Sequence, residues 1–300
     1  MEKLLQWSIA NTSGDKEAKE RAGQLDPKLL EQLFNGGMAD DPTLMKQAMQ
    51  VIVADDVDVE TKLVALDNFE MLIEKLDNAN NIENMKLWDP LLATLKDESG
   101  EIRAAILSII GTSVQNNKPS QDNFLKYKGA LRKIIDLAEN KSEPVDVRVK
   151  ALYALSNLIR NHGEMAKEFA ENKGLDLIPE FLNDDEAKSK LKMRAIAVLS
   201  AFLGTTEIND VMILLLRKDG VIKSVIDCLQ HETDLNLLDR ILNFLSLLLT
   251  AGIKFTQDEL DSLRSGFEKI QPLKDRLNED DFLTVNTFCK LQFIKRHRSK

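Results

Sequence analysis

The 300 residues are 43% apolar and carry 49 acidic against 40 basic side chains, a net charge of −9. This composition is globular, excludes an intrinsically disordered chain and makes a phosphate backbone a poor partner, so nucleic acid is set aside. With aromatics at 5%, 13 Gly and 7 Pro, it also excludes an all-β sandwich, which needs aromatic strands and frequent turn residues.

In chain order, residues 1–40 show no repeat. Leu4, Leu5, Trp7 and Ile9 form a short apolar cluster, broken by Gln6 and Ser8 and too short for a signal peptide or a membrane span. A polar stretch follows from Asn11 to Gln24, and Asn35-Gly36-Gly37 makes a flexible joint. Two readings fit this end: a tethered binding peptide, or a cap folded over the first repeat, whose apolar end needs covering. Without a secretory signal, the glycosylation sequons at Asn11 and Asn140 are chance matches, and a reducing cytosolic or nuclear compartment is the default.

From about residue 41 the chain repeats itself. Lys150-Ala151-Leu152-Tyr153-Ala154-Leu155-Ser156 matches Arg194-Ala195-Ile196-Ala197-Val198-Leu199-Ser200 and Arg240-Ile241-Leu242-Asn243-Phe244-Leu245-Ser246. The central apolar residue falls at Leu66, Ile110, Leu155, Leu199 and Leu245, at spacings of 44, 45, 44 and 46. A small residue follows it in four of the five: Gly111, Ser156, Ser200 and Ser246. Gly129, Gly174 and Gly220 keep the same beat and each opens an apolar helix. The surrounding segments are long, helically periodic and free of internal proline. Pro27, Pro42 and Pro144 suit first turns, with Asp26 and Asp41 as caps. A helical repeat of about 40–47 residues is the size of armadillo or HEAT units. The predicted fold is therefore all-α: a right-handed armadillo-repeat solenoid over 41–295, with a flexible N-terminal extension and a basic tail at 296–300.

The third helix of each repeat is expected to line an inner surface. At 100° per residue, the positions five before, two before and two after the anchor share one face. They read Thr61/Val64/Asn68, Ala105/Ser108/Thr112, Lys150/Tyr153/Asn157, Arg194/Ala197/Ala201 and Arg240/Asn243/Leu247. This stripe is either a solvated helix face or a partner surface. In the second case the column Lys150–Arg194–Arg240 favours an acidic protein partner, with Tyr153 as an anchor. For Arg194 the competing reading is a bridge to an acidic neighbour.

Catalytic chemistry is not evident. Gly36-Gly37 lacks the Gly-Lys-Ser/Thr of a phosphate loop, so direct nucleotide binding is not expected. Cys228 and Cys289 make neither a disulfide framework nor a zinc site, and His162, His231 and His297 lie far apart. His162 is expected to serve the dipole at a helix end, and clusters such as Asp184-Asp185-Glu186 to cap or solvate turns. No cofactor is implied. An acidic, capped repeat protein is expected to be a monomer.

Longer motifs point to a family. Ala130-Leu131-Arg132-Lys133-Ile134 followed by Val147-Arg148-Val149-Lys150-Ala151-Leu152-Tyr153 resembles the central repeat of the armadillo nucleotide exchange factors of heat shock protein 70 chaperones. Arg103-Ala104-Ala105 with Ile110-Gly111-Thr112 is similar to the repeat before, and Lys190-Leu191-Lys192-Met193-Arg194-Ala195 to the one after. The opening Met1-Glu2-Lys3-Leu4-Leu5-Gln6-Trp7, the segment Leu76-Asp77-Asn78-Ala79-Asn80-Asn81-Ile82 and Pro272-Leu273-Lys274-Asp275-Arg276-Leu277 resemble the fungal, Fes-type branch.

The resemblance implies a co-chaperone, not an enzyme. It embraces one lobe of the chaperone's ATPase domain, speeds ADP release and so promotes ATP rebinding and client release. Its chaperone-binding residues are expected to be Arg194, Ala79, Lys150, Tyr153, Asn157, Asn68 and Arg240. Ala79 is expected on a surface segment where close approach needs a small residue; helix packing is the alternative. The cluster Leu4, Leu5, Trp7 and Ile9 is expected to engage the chaperone's client-binding domain. The ending Lys295-Arg296-His297-Arg298-Ser299-Lys300 departs from the family pattern and leaves a nuclear pool open beside a cytoplasmic one. A second function, an armadillo adaptor binding extended peptides without exchange activity, draws on Asn68 and Asn157.

Overall fold

The computed structural model describes residues 39–298, with side chains through 291. The apolar cluster at Leu4, Leu5, Trp7 and Ile9 lies outside the described residues, as do the side chains of the basic tail. The chain divides into two compact units, Met1–Leu44 and Met45–Lys300. The repeats belong to the second.

Sixteen α-helices follow one another among the described residues: α1 (Asp41–Ile52), α2 (Val59–Ile73), α3 (Leu76–Asn84), α4 (Trp88–Thr94), α5 (Gly100–Val114), α6 (Lys118–Leu125), α7 (Ala130–Glu139), α8 (Val145–Ile159), α9 (Gly163–Glu171), α10 (Leu177–Leu182), α11 (Ser189–Leu203), α12 (Asp210–Lys218), α13 (Val221–Asp227), α14 (Leu235–Thr250), α15 (Gln257–Ile270) and α16 (Glu279–Arg298). The described residues contain no strand. The helices stack as ladders with the period of the repeat. The long helices pack in the order α2, α5, α8, α11, α14, α16, while α7, α10, α13 and α15 form a second ladder behind them. This is an all-α solenoid.

The repeat anchors explain why the ladder holds. Leu66, Ile110, Leu155, Leu199 and Leu245 are all 0% exposed, inside one apolar core that runs through every repeat. Each such side chain contributes about 1.5–3 kcal/mol by leaving water, and each helix depends on its neighbours to cover it.

Local chemistry sets the helix ends. Asp58, Ser99 and Asp234 accept hydrogen bonds from the first-turn N–H groups of α2, α5 and α14, donors that have no partner within the helix. Thr256 and Glu259 form a reciprocal capping box on α15. Three sequence expectations are corrected here. Before Pro42 it is Asp40, not Asp41, whose carboxylate accepts from a first-turn N–H, that of Thr43. Pro144 stands at the cap position of α8 and not inside it. His162 is buried at the N-terminus of α9: its Nδ1 accepts from the Met165 N–H at 3.1 Å, and its Nε2 lies 2.8 Å from Asp122 Oδ1. It therefore opens the following helix instead of serving the dipole at the end of α8.

The three periodic glycines do not share one cause. Gly129 and Gly220 take φ of 77° and 72°, a left-handed turn that favours glycine. At the intermediate repeat Lys173 takes the left-handed turn instead. Gly174 is needed because a Cβ there would lie 2.1 Å from the Phe169 ring.

Candidate functional site

The long helices bring side chains from four successive repeats into one polar cluster. Ser108 and Thr112 of α5 donate to Glu70 Oε1 of α2 at 2.6 and 3.0 Å. Lys150 of α8 donates from Nζ to Ser108 Oγ at 2.8 Å. The Tyr153 hydroxyl lies 3.4 Å from Thr112 Oγ1 and 3.5 Å from Gln115 Oε1, long for bonds between hydroxyls and oxygens. The Tyr153 ring packs on Gly111, where an added Cβ would meet it at 2.5 Å. Two cations face that ring: Lys150 Nζ at 5.6 Å and the Arg194 guanidinium of α11 at 5.4 Å from its centre. Both distances suit attraction of a cation by an aromatic face.

The two cations differ in what they can still do. Lys150 spends a donor on Ser108, whose own hydroxyl proton goes to Glu70. Arg194 is half-buried and makes no ion pair or hydrogen bond among the described residues, so the bridge to an acidic neighbour is not formed. Its five donors are held on a ring and remain available to an acceptor on another molecule. Arg148, the other cation of the central motif, is buried over the Phe181 ring at 4.7 Å, with Nε bonded to the Ala138 carbonyl. Burial lowers its pKa against the pull of Glu180 and Asp184.

The other expected residues are placed as follows. Asn68 is half-buried on α2 and Arg240 exposed on α14; among the described residues neither makes a hydrogen bond, ion pair or ring contact with the Tyr153 cluster. Asn157 is corrected: it is 6% exposed, with its side-chain amide nitrogen buried and unbonded. Its carbonyl, with those of Leu158 and Arg160, accepts from the buried Gln121 amide. That burial removes one of the two asparagines on which the peptide-adaptor reading drew. Ala79 is 3% exposed within the core, which favours helix packing, the alternative reading of this small residue.

Sequence reasoning missed Glu70. A signal existed: four residues after the anchor, the other repeats carry Val114, Ile159, Leu203 and Leu249. Among the described residues no group of three or more His, Cys, Asp or Glu side chains is placed to hold a metal ion. No helix of these residues is long and apolar enough to cross a membrane.

Known proteins are similar to this chain in sequence and, separately, in fold. Residues 1–82 match the family model for the nucleotide exchange factor Fes1, and residues 78–212 match the SIL1/FES1/HPBP1 C-terminal domain. The chain is 62% identical over 288 residues to the Hsp70 nucleotide exchange factor FES1 of Saccharomyces cerevisiae, covering 95% of this chain and 99% of the relative. It is 60% identical to the protein of the same description from Candida glabrata, covering 95% and 98%. Among solved structures, a designed armadillo repeat protein matches with a TM-score of 0.64 at 16% identity, over 84% of this chain and 99% of that one. An engineered protein matches with a TM-score of 0.66 at 16% identity, over 84% and 98%. These structural matches show the fold alone, an armadillo-type solenoid. The sequence matches go further, and the chain belongs to the Fes1 family of nucleotide exchange factors.

Proposed function

We propose that this chain is a nucleotide exchange factor of a heat shock protein 70 chaperone, binding its ATPase domain and accelerating ADP release. The observation that carries the reading is identity along nearly the whole length to relatives described by that activity, 62% over 95% of this chain. The Tyr153 cluster suggests where the partner sits: Arg194, held on an aromatic face and unpaired among the described residues, suits a carboxylate on an acidic protein surface.

The mechanism needs no catalytic residue, and the chain acts as a co-chaperone without enzymatic chemistry of its own. Binding that favours the open ATPase domain over the closed one shifts the chaperone toward the open state. Nucleotide contacts made between the lobes are then lost, ADP leaves sooner, ATP rebinds and client is released. By reciprocity, nucleotide weakens binding of the factor by the same ratio. The N-terminal cluster Leu4, Leu5, Trp7 and Ile9 contributes a second contact, as a short apolar peptide for the client-binding groove. The chain works in the cytosol, with a nuclear pool directed by the basic tail. A reducing compartment suits Cys228 and Cys289, both unpaired by disulfide, whose thiols burial pushes up to about 11.

The test is stopped-flow release of fluorescent ADP from a purified heat shock protein 70 under excess ATP. A saturable acceleration that weakens at least tenfold in Arg194→Ala, in line with a buried charge contact, supports the reading. An unchanged release rate with wild-type protein across several chaperone paralogues removes it.

A further inference from the structure

We propose that Glu70 is a positioning residue for partner binding: through Ser108 and Thr112 it fixes the Tyr153 ring and Lys150, and so the guanidinium of Arg194, three long helices away. The inference rests on the reading of Arg194 as a chaperone contact.

The geometry sets a direction for every proton in the cluster. A carboxylate only accepts. Ser108 and Thr112 both give their single hydroxyl proton to Glu70 Oε1. Ser108 Oγ is then free to accept, and it accepts from Lys150 Nζ. Thr112 Oγ1 can meet the Tyr153 hydroxyl only as an acceptor, so that hydroxyl points its proton toward Thr112 or Gln115. One carboxylate thus orients a lysine on one branch and an aromatic ring on the other. The ring cannot retreat toward α5 because it already fills the space above Gly111. Arg194 faces a ring held from two sides.

Such a network is worth more than its separate bonds, because each member polarises and immobilises the next. A preorganised guanidinium loses less side-chain freedom when a partner carboxylate arrives. Lys150, compensated by Glu70 through one hydroxyl, acts inside the network, which leaves Arg194 as the outward-acting cation of the cluster. Glu70 accordingly tunes affinity without touching the partner.

The experiment measures binding of a heat shock protein 70 ATPase domain by the full chain, with ADP-release acceleration in parallel. Glu70→Leu removes the acceptor at similar size, and Glu70→Gln keeps Oε1 for both hydroxyls. The expected result is a loss of about tenfold in affinity for Glu70→Leu and less than about threefold for Glu70→Gln, as for a coupled hydrogen-bond network. In an Arg194→Ala background, Glu70→Leu is expected to add less than about twofold, because its effect is routed through Arg194. A mere loss of fold stability would act independently of Arg194 and would be equal in both backgrounds. Equal losses in both backgrounds, equal damage by Gln and Leu, or wild-type affinity in Glu70→Leu would each overturn the proposal while leaving the Arg194 contact standing. Wild-type affinity in Arg194→Ala itself would overturn the underlying reading, and this inference with it.

Discussion

The Tyr153 ring of α8 occupies the space in which a side chain at Gly111 of α5 would stand. A Cβ on Gly111 would lie 2.5 Å from Tyr153 Cε1 and 2.6 Å from Cδ1. Gly111→Ala must therefore displace the ring, and overpacking of this kind costs about 1–3 kcal/mol. Urea denaturation should show that loss, and binding of the chaperone ATPase domain should weaken with it. Unchanged stability and binding together would mean that the ring is not held there.

Tyr153 itself separates the ring from the hydroxyl. Tyr153→Phe keeps the aromatic face for Arg194 and Lys150 but loses the contacts to Thr112 and Gln115. Tyr153→Ala loses both. Isothermal titration against the ATPase domain should show a loss of about threefold to tenfold for Phe, whose ring is no longer tied to Thr112, and a larger loss for Ala, as for an interface aromatic. Equal losses would place the contribution in the hydroxyl.

Ala79→Arg tests whether the short segment on α3 is surface or core. With Ala79 3% exposed in the core, a guanidinium there must push apart the helices around it or stay buried without a partner. Either outcome costs about 3 kcal/mol or more. The melting temperature should fall sharply, and any loss of chaperone binding should follow from that. A melting temperature equal to that of wild type would restore the surface reading.

The last repeats carry a pH-sensitive tie. Arg217 of α12 donates from Nε to Glu259 Oε1 of α15 at 2.7 Å, and a second guanidinium nitrogen reaches Oε2 at 2.9 Å. Burial pushes the Glu259 carboxyl up, but the Arg217 and Thr256 hydrogen bonds outweigh it and hold the group below its ordinary value of 4.5. A carboxyl lowered in the folded state adds stability above its unfolded pKa and loses it as pH falls through the folded one. Compared with Glu259→Gln, which keeps the cap acceptor, wild type should be more stable at pH 7. The advantage should shrink below about pH 4.5, the unfolded carboxyl range. An advantage that stays constant down to pH 3 would show that the charge plays no part.

Much of this architecture was legible in the residues. The anchors at Leu66, Ile110, Leu155, Leu199 and Leu245 were readable as core because a helix turns 100° per residue whatever surrounds it, and all five are buried. The stripe was readable only in part. Its first positions, Thr61, Ala105, Lys150, Arg194 and Arg240, all keep some exposure, whereas Ser108, Asn157 and Ala201 are buried. Periodicity assigns a side chain to a face of its own helix but says nothing of how far the next helix covers that face.

Charge and polarity were subject to the same division. That Lys150, Tyr153 and Arg194 share a face follows from their spacing in the chain. That Lys150 is tied to Glu70 through Ser108 while Arg194 is left on the Tyr153 ring follows from which atoms of separate repeats come within hydrogen-bond reach. Gly174 kept the beat of its neighbours for a different cause, the approach of Phe169, and His162 turned to cap the helix after it. The repeat, the helices and the buried anchors follow from local periodicity and apolar area, which any stretch of the chain carries in its own residues. Which cation stays available to a partner depends instead on distances between residues some 40 positions apart, and these are set when the repeats stack.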